Sequence, residues 1–310
     1  MNEFELIARL TRALPANPSI VTGAGDDCAV LDLGVADKLI LFKTDAVVEG
    51  LHFTRETPPE KIGRKALARC LSDIAAMAGT PTAALVTIGL PEKFEPDHVF
   101  RIYDGINELA REHEVAIAGG ETTTNPERIL ISIALIGTVP RGRQVLRSGA
   151  KPGDAIFVTG ELGGSLAGKH LEFEPRLAEA RWLAQQSPIH AMIDLSDGLA
   201  GDLRHILQAG GVGAALLKSA IPISRAARTR AREGSPAKPA FAAALTDGED
   251  FELLFTVAAR HAVKLLDAWK TAFPKLKLSC IGKIVAGQGI LIRDKTGTHQ
   301  LNAHGYVHFA

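Results

Sequence analysis

Cysteine is scarce in this chain and forms no pattern. There are three, Cys28, Cys70 and Cys280, far apart, odd in number and without metal spacing. That excludes a disulfide framework and a zinc site and suits reduced thiols in the cytoplasm. An excess of one charge is also missing: 35 Lys plus Arg balance 35 Asp plus Glu. Neither nucleic acid nor a membrane surface, both of which select a basic excess, is therefore expected as a partner. No apolar run approaches the roughly 20 residues of a membrane helix. The opening MNEFELIARL is acidic and amphipathic, unlike a signal peptide with its early basic charge. Short tandem repeats and low-complexity tracts are absent.

What remains is a chain of 310 residues, 46% hydrophobic, enough for one or two domains with a sizeable core. Strand-like and helix-like runs alternate. CAVLDL and KLILFKT read as strands, and PPEKIGRKALARCLSDIAAMAG as a long helix with Pro near its start and Gly at its end. AALVTIGL reads as a strand, HVFRIYDGINELAREH as a helix, and VAIAG and ILISIALIGTV as strands. Residues 139–154, VPRGRQVLRSGAKPGD, break the alternation with Arg, Gly and Pro, so the domain division is placed there, giving 1–140 and 141–310. The second part resumes with the strand AIFVTG. The expected fold class is α/β, two layered domains with a cleft between them. The basic run RAARTRAREGSPAKP (225–239) reads as a solvated helix followed by a loop.

The carboxylates carry the chemistry. TGAGDDCAVL sets Asp26 and Asp27 against an apolar strand, Asp45 ends LILFKTD, Glu121 follows VAIAGG, and Asp194 and Asp197 lie in AMIDLSDGL. Each stands at the mouth of an expected strand, where α/β folds hold ligands. Asp73 lies in the long helix, on one arc with Ile62, Ala66, Cys70 and Met77. Either it pairs with Arg69 four residues back, or it points at the same centre as the other acids. A single Asp of this kind is ordinarily a turn or cap residue. A set of oxygen ligands without a Cys or His cluster suits a hard cation, Mg²⁺ above all, together with phosphates. Their charge lets Asp26 and Asp27 sit beside the core, where an unpaired carboxylate is costly. GGSLAGKH (163–170) has most of a phosphate loop but ends in His170, where a hydroxyl must bind Mg²⁺. It is not read as one.

Taken in order, GDD, TD-x₆-HF, LSD-x-AAM, GGE-T, RSGAKPGD, DLSDGL, GEDFEL and GYVHF resemble the thiamine-monophosphate kinase family of the aminoimidazole-ribonucleotide-synthetase-like superfamily. The resemblance runs from about residue 3 to the C-terminus. RSGAKPGD, DLSDGL and DGEDFEL in this order are highly specific, whereas any one alone is weak. The resemblance implies an N-terminal α/β domain that dimerises, its strands closing a barrel across the subunits. A C-terminal α/β domain completes the nucleotide and substrate cleft. It implies transfer of the γ-phosphoryl group of ATP to thiamine monophosphate, giving ADP and thiamine diphosphate, by a cytoplasmic homodimer that uses several Mg²⁺ ions.

Carried over motif by motif, the resemblance makes Asp27, Thr44, Asp45, Asp73, Glu121, Asp194 and Asp197 metal ligands. Tyr103, Gly120, Glu121, Arg147 and Ser196 fall at ATP positions, although Tyr103 reads equally well as a helix-surface tyrosine. His52, Glu249 and Tyr306 fall at substrate positions. No covalent nucleophile is expected, because phosphoryl transfer needs placement and charge neutralisation. The acceptor oxygen is ionised near neutral pH, so no strong base is needed either. Glu249 and Tyr306 suit the cationic ring of thiamine, and His52 can donate to the acceptor phosphate.

Three residues depart from the commonest family pattern: Lys43 for Ser before Thr-Asp, Glu121 for the Asp of GGD, and Cys70 for Asn before LSD. The segment between GKH and DLSDGL is also short. An ammonium at Lys43 can stand in for one cation, which implies fewer Mg²⁺ ions than in relatives. The alternatives to the kinase are a superfamily enzyme with another phosphorylated acceptor and a non-catalytic nucleotide- or thiamine-phosphate-binding protein. The nearly complete acidic set disfavours the latter.

Overall fold

The computed structural model describes residues 3–232, 238–303 and 305–306. In chain order the elements begin with α1 (Glu3–Thr11), β1 (Ile20–Thr22), β2 (Ala29–Leu31), β3 (Lys38–Val48), α2 (Pro59–Ala76), β4 (Thr80–Leu90), α3 (Pro96–Glu112), β5 (Ala116–Thr124) and β6 (Leu130–Pro140). After residues 141–153, which hold no helix or strand, come β7 (Asp154–Thr159), α4 (Lys169–Glu172), α5 (Leu177–Gln186), β8 (Ile189–Asp194), α6 (Leu199–Gly210) and β9 (Gly213–Leu217). The chain continues through α7 (Arg225–Arg232), α8 (Ala240–Thr246), β10 (Leu253–Ala258), α9 (Ala259–Ala272), β11 (Leu278–Val285), β12 (Ile290–Asp294) and β13 (Gly297–Gln300). Most of the loop expected after α7 and the end of GYVHF lie outside the described residues.

Two units result. The N-terminal unit holds Pro18–Gln144 and Leu171–Leu177; the C-terminal unit holds the residues up to Asn17, Val145–His170 and those from Ala178 on. Helix α1 and residues 171–177 thus group across a single cut at 140/141. For 171–177 the cause is electrostatic. Lys61 meets Glu172 at 3.0 Å, Arg64 meets Glu174 at 2.9 Å, and His113 lies 3.3 Å from Glu174.

Period-two burial builds the N-terminal sheet, of order β1-β2-β3-β6-β4-β5. Leu39, Leu41 and Val47, Ile131, Ile133 and Leu135, and Ala84, Val86 and Ile88 are buried. They form one face, as alternation along a strand requires, and α2 packs against β3, β4 and β6 there. The opposite face leaves Phe42, Leu85 and Ile136 exposed, and Phe42 pairs with Ile136 across β3 and β6.

Helix α2 begins after Pro58 with Pro59 in its first turn, where a missing N–H costs nothing. Its end departs from the sequence expectation. The left-handed residue is Ala78, with φ of 57°. The Ala78 N–H donates to the Ala75 carbonyl at 2.8 Å and the Gly79 N–H to that of Ile74 at 2.9 Å, a Schellman closure. Gly79 is a glycine for space: a Cβ there would lie 2.4 Å from Leu41 Cδ1. Helices α2 and α3 cross at backbone contact. A Cβ on Gly63 would lie 1.9 Å from the Ile102 carbonyl, and one on Gly105 1.9 Å from that of Glu60. Arg101 and Glu60 join the same crossing at 2.6 Å.

The C-terminal sheet has the order β13-β12-β9-β11-β7-β10-β8. Strand β7 is buried at every residue, as a strand covered on both faces must be. On one side Ile156 and Val158 pack with Ile193, Leu203 and Ile206. On the other, Phe157 stacks on Phe255 at 5.4 Å. Beyond them Trp182, Trp269 and Phe273 form a second aromatic group. Among the described residues, parallel strand pairing is limited to β4–β5 in the first sheet and β9–β12 in the second. The fold is therefore mixed α/β in two units, and neither sheet closes into a barrel within the chain.

The segment between α8 and β10 is anchored by a buried acid. The Gly163 N–H donates to both Asp250 oxygens, at 2.8 and 3.0 Å. Burial pushes the Asp250 carboxyl up to about 7, against the Gly163 N–H and Lys169, which lower it. The folded chain therefore keeps a proton between about pH 4 and pH 7 that the unfolded chain releases. Stability contributed by this group falls as pH rises through that window. Asp250→Asn should remove the fall. Its unfolding free energy from urea titration should gain on the wild type from pH 4 to pH 8, by a few kcal/mol at most, and a constant difference would contradict the assignment. At the other unit's helix crossing, Gly105→Ala should cost about 2 kcal/mol or more, read as a lower urea midpoint.

Candidate active site

In the N-terminal unit the buried side of the sheet turns from apolar to charged in the middle of β3, between Leu41 and Val47. Leu39 and Leu41 are followed on the same face by Lys43 and Asp45. Lys43 Nζ lies 2.9 Å from Asp73 Oδ1 on α2. Arg69, one turn earlier on α2, forks onto Asp45, with Nε to Oδ2 at 2.8 Å and a terminal nitrogen to Oδ1 at 3.2 Å. Against burial, which alone would lower it, Asp73 and Asp45 hold the Lys43 ammonium well above the usual lysine range. Burial raises the Asp45 carboxyl, but Arg69 and then Lys43 outweigh it and keep it ionised. The pairing expected between Asp73 and Arg69 has a competitor on each side: Lys43 meets Asp73, and Arg69 meets Asp45.

Asp27, almost wholly buried in the loop before β2, brings a carboxylate oxygen within 4.8 Å of one from Asp73. Its N–H donates to Asp26 Oδ1 at 3.0 Å, so the first acid of the pair caps the second. The next N–H, of Cys28, points at Met77 Sδ at 3.1 Å. Burial, and then Asp73, push the Cys28 thiol up; burial and Asp45 do the same to Cys70. Both stay protonated, and the donors at this point are oxygens.

The other N-terminal positions lie apart from this group. Thr44 is exposed on the opposite sheet face, its hydroxyl 3.4 Å from that of Ser132. Glu121 is exposed on edge strand β5, paired with Thr87. Gly120 beside it has a structural duty, since a Cβ there would lie 1.7 Å from the Val86 carbonyl. Tyr103 is half-buried on α3, where burial raises its hydroxyl pKa.

His52 sits in a tight turn after β3. The Gly50 N–H donates to the Phe53 carbonyl at 2.7 Å and the His52 N–H to that of Val48 at 3.0 Å. The Val48 N–H donates to His52 Nδ1 at 3.1 Å. An amide only donates, so Nδ1 accepts and the neutral ring carries its proton on Nε2. Lys65, fully buried on α2, donates to the His52 carbonyl at 2.7 Å. Sequence reasoning missed Lys65, whose signal is a lysine on the apolar face of α2.

In the C-terminal unit three loops meet. Asp194 ends β8, buried, and pairs in register with Leu253. The Glu249 N–H donates to the Ser196 carbonyl at 2.7 Å, the Phe251 N–H to that of Leu195 at 2.8 Å, and the Tyr306 N–H to that of Asp197 at 2.9 Å. Asp194, Ser196, Asp197, Glu249 and Tyr306 are thereby drawn together. Glu249 and Phe251 both hold positive φ, 55° and 49°. Such strain in non-glycine residues costs on the order of 1 kcal/mol or more each, and here it flanks the anchored Asp250. The Asp197 N–H donates to Oδ2 of Asp202, a buried acid on α6 that sequence reasoning also missed. Burial, then Asp197 and Asp194, push the Asp202 carboxyl well up, while Arg147 pulls it down.

The residues 163–170 are committed elsewhere. The amides of Gly163 and Gly164 donate to Asp250 and Asp247, and Lys169 Nζ meets Glu252 Oε1 at 2.8 Å. A loop whose amides and lysine hold carboxylates is not a phosphate cradle.

The comparisons with known proteins agree with one another. Residues 25–139 match the AIR synthase related protein N-terminal domain, and residues 151–295 its C-terminal domain. Thiamine-monophosphate kinase of Rhodopirellula baltica is 40% identical over 299 residues, 94% of this chain and 92% of that protein. Thiamine-monophosphate kinase of Bacillus subtilis is 33% identical over the full length of both. The solved structure of AaThiL complexed with AMPPCP and TMP superposes with a TM-score of 0.81 at 30% identity, over 99% of this chain and 97% of that one. With identity of this level over its whole length, the chain belongs to the thiamine-monophosphate kinase family of AIR synthase related proteins.

Proposed function

We propose that this chain moves the γ-phosphoryl group of ATP onto the phosphate of thiamine monophosphate, with Mg²⁺, giving ADP and thiamine diphosphate. The observation that carries the reading is that each unit of a kinase-family fold gathers its own carboxylates, Asp27 with Asp73 and Asp197 with Asp202, their oxygens within 4.8 Å of each other. In the N-terminal group, oxygen donors beside the protonated thiols of Cys28 and Cys70 fit a hard cation rather than a soft one. Mg²⁺ bound there supplies charge neutralisation for two polyanions that must approach each other.

The chain's own groups supply the rest. Asp27, Asp73, Asp194 and Asp197 hold the cations, with Asp45, Thr44 and Glu121 as further members of the set. Arg147 and Ser196 hold the ATP phosphates, and Tyr103 and Gly120 meet the nucleotide. His52 donates from Nε2 to the acceptor phosphate, an arrangement supported by the Val48 amide on its other nitrogen. Glu249 and Tyr306 face the thiazolium, with Glu249 held by the strained turn. The leaving ADP and the acceptor phosphate are both stable anions, so no side chain need form a bond to phosphorus.

The protein works as a cytoplasmic homodimer in this reading. Its three cysteines form no disulfide, and no helix among the described residues is long and apolar enough to cross a membrane. The exposed Phe42–Ile136 pair and Leu85 form an apolar face that a second copy would cover. Phe42→Asp should shift the mass in solution from dimer to monomer in light scattering; an unchanged mass would rule this face out.

The reaction is tested by mixing protein, Mg²⁺, ATP and thiamine monophosphate and separating the products by chromatography. ADP and thiamine diphosphate should form in equal amounts and be abolished by EDTA. Asp27→Ala and Asp197→Ala should each lower kcat by more than about a hundredfold. Near-normal turnover in either would remove that residue from the metal set. Folded protein that binds ATP but makes no thiamine diphosphate would point to a different acceptor.

A further inference from the structure

A lysine on the inner face of β3 requires an explanation. The apolar residues on that face, Leu39, Leu41 and Val47, are all buried, and an ammonium set among them is costly unless paired. Lys43 finds Asp73 Oδ1 at 2.9 Å. Asp45, two residues on, has both oxygens on the Arg69 guanidinium. Of the three inner carboxylates, Asp27, Asp45 and Asp73, two thus come with a cation supplied by the chain itself.

We propose that Lys43 is a built-in cation on the Oδ1 side of Asp73, so that this chain binds one divalent ion fewer than it would without the lysine. The inference rests on the Mg²⁺-dependent reading above. An ammonium is a compact point charge with three donors on a flexible stem. At 2.9 Å from Oδ1 it fills the space in which a divalent ion would coordinate that oxygen, at about 2 Å. Such an ion can take Oδ1 on that side only by expelling Lys43. Arg69 does the same for Asp45 through two bonds rather than one. The three inner acids then carry a net charge of one rather than three before any metal binds.

The test counts ions. Mn²⁺ bound per chain is measured by electron paramagnetic resonance with a saturating non-hydrolysable ATP analogue, for wild type, Lys43→Ser and Lys43→Arg. The serine variant should bind one more Mn²⁺ per chain than wild type, and the arginine variant the same number. Equal counts in wild type and Lys43→Ser would overturn the proposal while leaving the metal reading intact. No Mn²⁺ bound by any of the three would overturn both. Should Lys43→Ser fail to fold, anomalous diffraction from wild-type crystals with Mn²⁺ and the analogue decides. Lys43 retained on Asp73 with Mn²⁺ elsewhere supports the proposal, and Mn²⁺ on Asp73 Oδ1 with Lys43 displaced overturns it.

Discussion

A carboxylate taken out of water must be matched by a charge, an N–H or a proton, and both units are organised around that requirement. They meet it differently. The N-terminal unit uses side-chain cations, Lys43 on Asp73 and Arg69 on Asp45. The C-terminal unit adds main-chain N–H groups, Asp197 on Asp202 and Gly163 on Asp250, to side-chain cations, Lys169 on Glu252 and Arg230 with Lys238 on Asp247. Burial outweighs the amides at Asp202 and Asp250, whose pKa values are raised. Where cations are the partners, Asp45 is lowered. Asp45 is thus held ionised, while Asp202 and Asp250 are pushed toward the neutral acid.

Backbone approach does the remaining positioning. Gly305, Gly201 and Gly248 allow the C-terminal segment, α6 and the loop before β10 to close on Asp197 and Ser196. A Cβ on Gly305 would lie 2.5 Å from the Asp197 carbonyl, and one on Gly248 2.7 Å from that of Ser196. The motifs DLSDGL, GEDFEL and GY are therefore one assembly at the level of the main chain. The strain at Glu249 and Phe251 is borne where that assembly is tightest.

Much of this was legible in the sequence, for physical reasons. Strands β3, β4 and β6 were legible as apolar runs between turn residues, and β6 buries every second residue because one face of the sheet is covered. The acidic set was legible because carboxylates after apolar runs are expensive and hence informative. Pair partners were less so. An i,i+4 rule proposes Arg69 for Asp73, but β3 places Lys43 and Asp45 opposite the same turn of α2, and no local rule encodes that meeting. Thr44 follows Lys43 in sequence and so points the other way across the sheet. Ala78 rather than Gly79 takes the left-handed position because the glycine is needed against Leu41, a contact 38 residues away in sequence. Asp202 and Lys65 looked like ordinary helix residues, because what they hold is backbone from another segment.

The turn after β3 has one more implication. With the Val48 amide aimed at Nδ1, charging the His52 ring would set two donors face to face across 3.1 Å. The imidazole is thereby wired in one polarity. It can offer a hydrogen bond from Nε2 but is poorly placed to relay a proton through the ring. A histidine held this way is a rigid, one-way donor, closer in character to an amide side chain than to an acid–base catalyst.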